Sequence, residues 1–178
     1  MSETLDKPQV AAFPGLLGQI AALSKGKDRS VTAGHLDLGP GLWLSCDPAG
    51  QTVMGCRPDA RGFRLSVEAG DSGAWACLGM RLPPETLGRG RYLGLLSETE
   101  AAALVAFKPS LRYHLEGGMQ ETALPEPVVL PSGRRTHLAH LPIDPALRAR
   151  ATGCELNLFF QTGRIDALVL RLEPLLIA

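Results

Sequence analysis

Arg112 and His114 alternate with Leu111, Tyr113 and Leu115, a period of two that sets a cation and an imidazole on one face of a strand. Three apolar side chains then line the other face. Such a pair suits a sugar, because guanidinium and imidazole nitrogens bond hydroxyls while a nearby Trp75 or Tyr92 offers an apolar ring to the C–H face of a pyranose. The same alternation also fits an ordinary half-wet strand whose aromatics serve the core. Trp43, beside the Gly39-Pro40-Gly41 turn, reads as a core plug.

Catalytic and metal chemistry finds less support. Gly70-Asp71-Ser72-Gly73 spells the string found around the nucleophile of trypsin-like proteases, but only His35 precedes Ser72, so it reads as a turn between strands. His137 and His140 would share one side of a helix, whereas on a strand they point to opposite faces and cannot share a metal. Scattered Asp and Glu show no EF-hand spacing. Glu98 with Glu100, and Glu121 with Glu126, are loop-like acidic groups, and Gly88-Arg89-Gly90-Arg91 lacks the strand-to-helix setting of a nucleotide site. No catalytic residue, metal ligand or cofactor is assigned, and the expectation is a protein that is not an enzyme.

Composition narrows the class further. Eighteen basic and eighteen acidic side chains cancel, and with two Trp, two Tyr and five Phe the chain lacks the footprint of a nucleic-acid binder. Cys46, Cys56, Cys77 and Cys154 have no CxxC spacing and read as buried thiols in a reducing cytoplasm. Residues 10–23 are apolar, yet Glu3 and Asp6 outweigh Lys7 and Pro14, Gly15 and Gly18 interrupt them, which argues against a secretory signal. No run reaches the roughly 20 apolar residues of a membrane span, so the expected location is cytoplasmic.

The elements that would position these residues are short. Phe13, Leu16, Leu17, Ile20 and Leu23 repeat at helical spacing, with Pro14 in the first turn and Gly26 as a stop. A polar connector over 25–30 follows, so residues 1–30 read as a helical extension with its linker and 31–178 as the main domain. Twenty Gly and fourteen Pro punctuate the rest. Strands are expected at 42–46, 52–56, 63–68, 76–82, 91–96, 105–115, 128–130, 136–143, 156–161 and 165–177, with 98–104 able to turn helical and 145–151 forming one helical turn. About ten short strands between such turns define an antiparallel all-β sandwich or barrel. Taken as a hairpin around Thr162-Gly163, the last two strands would pair Phe160 with Ile165, Leu158 with Ala167 and Leu156 with Val169. The other face of that pair is mixed, with Asn157 and Gln161 beside Phe159.

The layout resembles galactose-binding-like jelly rolls, the β-sandwich used by many carbohydrate-binding modules. The resemblance covers about residues 63–178: a strand with Trp75, then Leu82-Pro83-Pro84, then Arg91-Tyr92-Leu93-Gly94-Leu95, and at the end Leu-Asn-Leu-Phe-Phe followed by Leu-Val-Leu-Arg-Leu. It implies a jelly-roll β-sandwich with a short N-terminal helix, and a link at Thr162-Gly163-Arg164 that turns a corner between sheets instead of closing a hairpin. The expected function is a non-catalytic binding module for a glycan or glycosyl intermediate, with Arg112, His114, Trp75 and Tyr92 as candidate contacts. The contrasting expectation is a protein-interaction module that docks a partner through apolar residues 10–24, and a third is an enzyme whose site is assembled from loops.

Overall fold

The computed structural model describes residues 9–68, 74–88, 90–160 and 164–178. The Gly70-Asp71-Ser72-Gly73 string and the Thr162-Gly163 step lie outside the described residues. Within them the chain forms two antiparallel seven-stranded sheets. Sheet A runs, in spatial order, β12 (Gly133–Pro142), β8 (Tyr92–Ala101), β14 (Ile165–Ile177), β6 (Gly62–Glu68), β5 (Val53–Asp59) and β2 (Arg29–Thr32), with β1 (Val10–Ala12) added to the far end of β14. Sheet B runs β10 (Gly118–Ala123), β9 (Val105–Leu115), β13 (Gly153–Phe160), β7 (Ala76–Leu82), β4 (Leu42–Cys46) and β3 (Gly34–Gly39), with β11 (Val128–Leu130) beside β9. From β6 onward the chain crosses repeatedly from one sheet to the other, and the result is a jelly-roll β-sandwich.

Period-two alternation accounts for the two layers. Phe63, Leu65 and Val67 of β6 are buried while Arg64 and Ser66 between them are half-exposed. Leu156, Leu158 and Phe160 of β13 and Ala167, Val169 and Leu172 of β14 meet in the shared core. Those last two strands are not a hairpin: β13 pairs with β7 and β9, and β14 with β6 and β8. Both strands have apolar inward faces, so each completes its own sheet and they face each other across the core. Residues 98–101 continue β8 and form no helix, since Glu98 and Glu100 pair with Thr136 and Arg134 of β12.

Four strands escaped the sequence pattern because they are short or exposed: β1, β2, β3 and β10. A division at residue 30 falls inside β2. Helix α1 (Pro14–Ala22) carries Leu16 and Ile20 one turn apart, and with Phe13 and Leu23 they belong to the core cluster of the sandwich. Gln19 Oε1 accepts from Gly41 N at 2.9 Å and ties the helix to the start of β4. The buried face of residues 13–23 therefore has its partner within the chain, while Val10 remains 60% exposed. Helix α2 (Pro145–Arg150) begins at Asp144, whose Oδ1 accepts from Ala146 N and Leu147 N at 2.8 and 3.0 Å. The buried Tyr113 hydroxyl accepts from Asp144 N at 3.0 Å and fixes that turn over β9. No helix among the described residues is long and apolar enough to cross a membrane.

All four cysteines are free and buried. Burial raises the thiols, Cys56 and Cys154 to about 11 and Cys77 to about 12. A thiol raised in the fold adds stability below its ordinary value of 9.0 and loses it as pH climbs toward the folded value. Denaturant midpoints should fall between pH 9 and pH 12, and a thiol reagent at pH 8 should label the native chain at none of the four sites and the unfolded chain at all of them. Leu16→Ala should cost about 2–5 kcal/mol in urea unfolding, because it opens a cavity between helix and sheets.

Candidate functional site

The outward side chains of sheet B fall into rows fixed by strand pairing. One row reads Glu121, Arg112, Glu155 and Arg81 across β10, β9, β13 and β7. The next reads Ala123, Ser110, Asn157, Gly79, Trp43 and Asp37, and the one after reads Lys108, Phe159, Cys77, Ser45 and His35. Trp75 lies just before β7 and meets Phe159 edge-on, ring centroids 5.8 Å apart at 81°.

This face has a floor and a rim. Ser110, Asn157 and Cys77 are nearly fully buried although they point away from the core, and Trp43 is 8% exposed without belonging to the core cluster. Trp43 therefore is no core plug. Its indole lies flat across Gly79, where a Cβ would overlap Cε2 and Nε1, so the glycine makes room for the ring. His35 packs at 5.8 Å on Trp43 and bonds Asp37 at 3.0 Å. Around the floor stand half-buried Trp75, Phe159, Arg112, His114 and Glu155.

The polar groups of the face are mostly paired. His114 Nε2 lies 3.1 Å from Glu155 Oε1, close enough for an ion pair but off the line of a hydrogen bond. Ser110 Oγ donates to Glu121 Oε2 at 3.0 Å, and Arg112 Nη2 is 3.6 Å from the same oxygen. Arg112 also reaches over the row of Ser110 and Asn157 toward Phe159, with Cζ 6.0 Å from the ring centroid. Asn157 Oδ1 accepts weakly from Cys77 Sγ at 3.4 Å, and burial is the main cause of the high Cys77 thiol value. Asn157 Nδ2 has no acceptor among the described residues, an unpaired donor in the middle of the floor.

Sheet A presents a different outer surface. Arg61 bonds Glu100 at 3.0 Å, Arg64 bonds Asp166 at 2.8 Å and Arg134 bonds Glu98 at 2.6 Å, and Leu168 beneath this layer is fully buried. Tyr92 belongs to this sheet. It is 45% exposed and meets His140 edge-on at 6.4 Å, so it cannot join Trp75, Arg112 and His114, which share the outer face of sheet B. His137 and His140 take opposite faces of β12, and among the described residues no three His, Cys, Asp or Glu side chains gather into a metal-holding group.

The fold is a jelly-roll β-sandwich of the kind that carbohydrate-binding modules also adopt. Among solved structures, the chain is similar to a family 11 carbohydrate-binding module from Clostridium thermocellum in complex with a beta-1,3-1,4-mixed-linked tetrasaccharide, at 10% identity and a TM-score of 0.50 over 81% of this chain and 95% of that one. It is also similar to the family 11 module of a cellulosomal cellulase of that organism, at 9% identity and a TM-score of 0.50 over 81% and 95% of the two chains. A structure reported for the promiscuous specificity of carbohydrate-binding modules of the β-sandwich superfamily matches at 13% identity and a TM-score of 0.51, over 83% of this chain and 62% of that one. No protein-family model matches the sequence, and no curated protein matches it significantly.

Three of the four candidate residues thus share a surface, and Phe159, Glu155, Asn157 and Trp43 join them. The missing residues had a signal in the mixed face of β13, where Glu155, Asn157 and Phe159 alternate with Leu156, Leu158 and Phe160. Gly79→Ala should force the Trp43 ring off the floor. It is expected to destabilise the chain by about 1–3 kcal/mol in thermal melts and to shift tryptophan emission toward the red as the indole gains solvent.

Proposed function

We propose that this protein is a non-catalytic glycan-binding module that uses the outer face of sheet B. Phe159 and Trp75 form the apolar platform, and Arg112, His114 and Glu155 supply bonds to hydroxyls. The observation that carries this reading is the half-buried Phe159 ring with Trp75 edge-on at 5.8 Å and Arg112 at 6.0 Å. A lone aromatic on a solvated strand needs none of these neighbours. The shared fold with carbohydrate-binding modules, one of them in complex with a tetrasaccharide, supports the same reading.

Binding without chemistry agrees with how the carboxylates of the face are spent. Glu121 is engaged by Ser110 and Arg112, and Glu155 stands against His114. A general acid and base would each need a carboxyl free to face the scissile bond.

A glycan array probed with the full chain, followed by calorimetric titration of the hits, is expected to show binding. Phe159→Ala should weaken it about tenfold or more, the equivalent of about 1.4 kcal/mol, with thermal stability nearly unchanged. Tyr92→Ala on the opposite sheet should leave affinity as it was. Silence across neutral and acidic sugars alike would sink the proposal.

A further inference from the structure

The charges around Phe159 differ in how they are compensated. Every carboxylate on the outer face of sheet B has a partner: Glu155 has His114, Glu121 has Ser110 and Arg112, and Asp37 has His35. The cations do not balance in the same way. Lys108 stands directly opposite Phe159 in the strand register, is half-buried, and has no carboxylate within ion-pair distance among the described residues. Arg112 borders the same ring and holds Glu121 only at 3.6 Å. Arg81, exposed at the end of its row, has no ion pair among the described residues either.

Lys108 is half-buried as a residue and stands beside the aromatic platform with no carboxylate within ion-pair distance among the described residues, so it offers a cation to an anionic ligand there. Size and shape narrow the anion. A pyranose that lays its C–H face on Phe159 carries its C5 substituent to the rim of the ring, within the zone bordered by Lys108 and Arg112. A carboxylate at C5 would sit between two cations, while the neutral hydroxymethyl group of an ordinary hexose would leave Lys108 uncompensated. The chain as a whole has no net charge, so general attraction for polyanions does not produce this preference.

Resting on the glycan-binding reading, we infer that the ligand is an acidic glycan, a chain that contains uronate residues, and that Lys108 reads the carboxylate. Lys108 is thus a specificity residue on the platform of Phe159.

The test uses matched probes. Tetrasaccharides of galacturonate and of glucuronate are titrated into the full chain by calorimetry, each beside its counterpart in which the carboxylates have been reduced to hydroxymethyl groups, at 50 and 300 mM salt. The acidic form of at least one pair is expected to bind about tenfold tighter than its reduced form and to lose affinity as salt rises. Lys108→Gln should bring the two forms to parity, and Phe159→Ala should weaken both about tenfold or more. If the reduced forms, or neutral glycans on the array, bind as well as the acidic ones and Lys108→Gln changes nothing, the acidic preference is overturned while glycan binding stands. If no sugar of either kind binds, the glycan reading itself falls. A single-stranded DNA of similar charge that binds as tightly, with the same dependence on Lys108, would also overturn the inference by making it mere charge attraction.

Discussion

The inward side chains of β13 and β14 meet across the core, and the geometry of both outer faces follows from that contact. Leu156, Leu158 and Phe160 come from one strand, and Ile165, Ala167, Val169 and Leu172 from the other, and all are buried. Phe160 also packs against Phe107 of β9, ring centroids 5.9 Å apart. Each Leu, Ile, Val or Phe buried there contributes about 1.5–3 kcal/mol, so a slip of one residue in β13 would be costly several times over. That slip would also turn Glu155, Asn157 and Phe159 inward. Core energetics therefore hold the floor and rim of sheet B in place, without any bond made for that purpose.

Long strands in a jelly roll serve different neighbours along their length, and prolines mark the changes. On one side β9 pairs with β11 at residues 105–107 and with β10 at 110–115, and Pro109 falls in the gap between them. On one side β14 pairs with β6 at residues 165–169 and with β1 at 175–177, and Pro174 falls in that gap. Pro58 of β5 lies beyond Cys56, where pairing to β2 stops. In each case the residue without an N–H sits where the strand has no partner on one side, so no ladder bond is lost there. These prolines are compatible with the sheets and also limit how far each neighbour extends.

The two outer faces differ in how their polar groups are paired. Sheet A closes much of its surface with cross-strand ion pairs over Leu168, a layer that exposed pairs can form at little net energy. Sheet B spends its carboxylates on His114, Ser110, Arg112 and His35 and, among the described residues, leaves Lys108 without a carboxylate partner beside the Phe159 and Trp75 rings. Unmet bonding capacity beside apolar rings is what a polar ligand with a flat hydrocarbon face can use. The distinction between the sheets lies in pairing rather than in residue content, since both carry arginines and glutamates.

Much of this protein was legible in its residues alone. Alternation in β6, β7 and β9 set strand positions and inward faces within a residue or two, because a half-buried strand must repeat every two residues, and in β8 it found the start but not the end at Ala101. Helical spacing located α1, and turn formers placed the breaks. The same alternation put Arg112 and His114 on one face and Tyr92 opposite Leu93 and Leu95. The edge strands β1, β2, β3 and β10 left a weaker pattern, since exposed residues carry no burial signal. Tertiary structure alone decided that β13 and β14 belong to different sheets, that the helix face is covered by the chain's own core, and that Trp75 and Tyr92 lie on opposite outer surfaces. It also set Lys108 beside Phe159, two residues far apart in the chain. Local sequence specifies which way a side chain points from its strand, but the neighbour it meets depends on which strands pair, and that is chosen by the packing of the whole core.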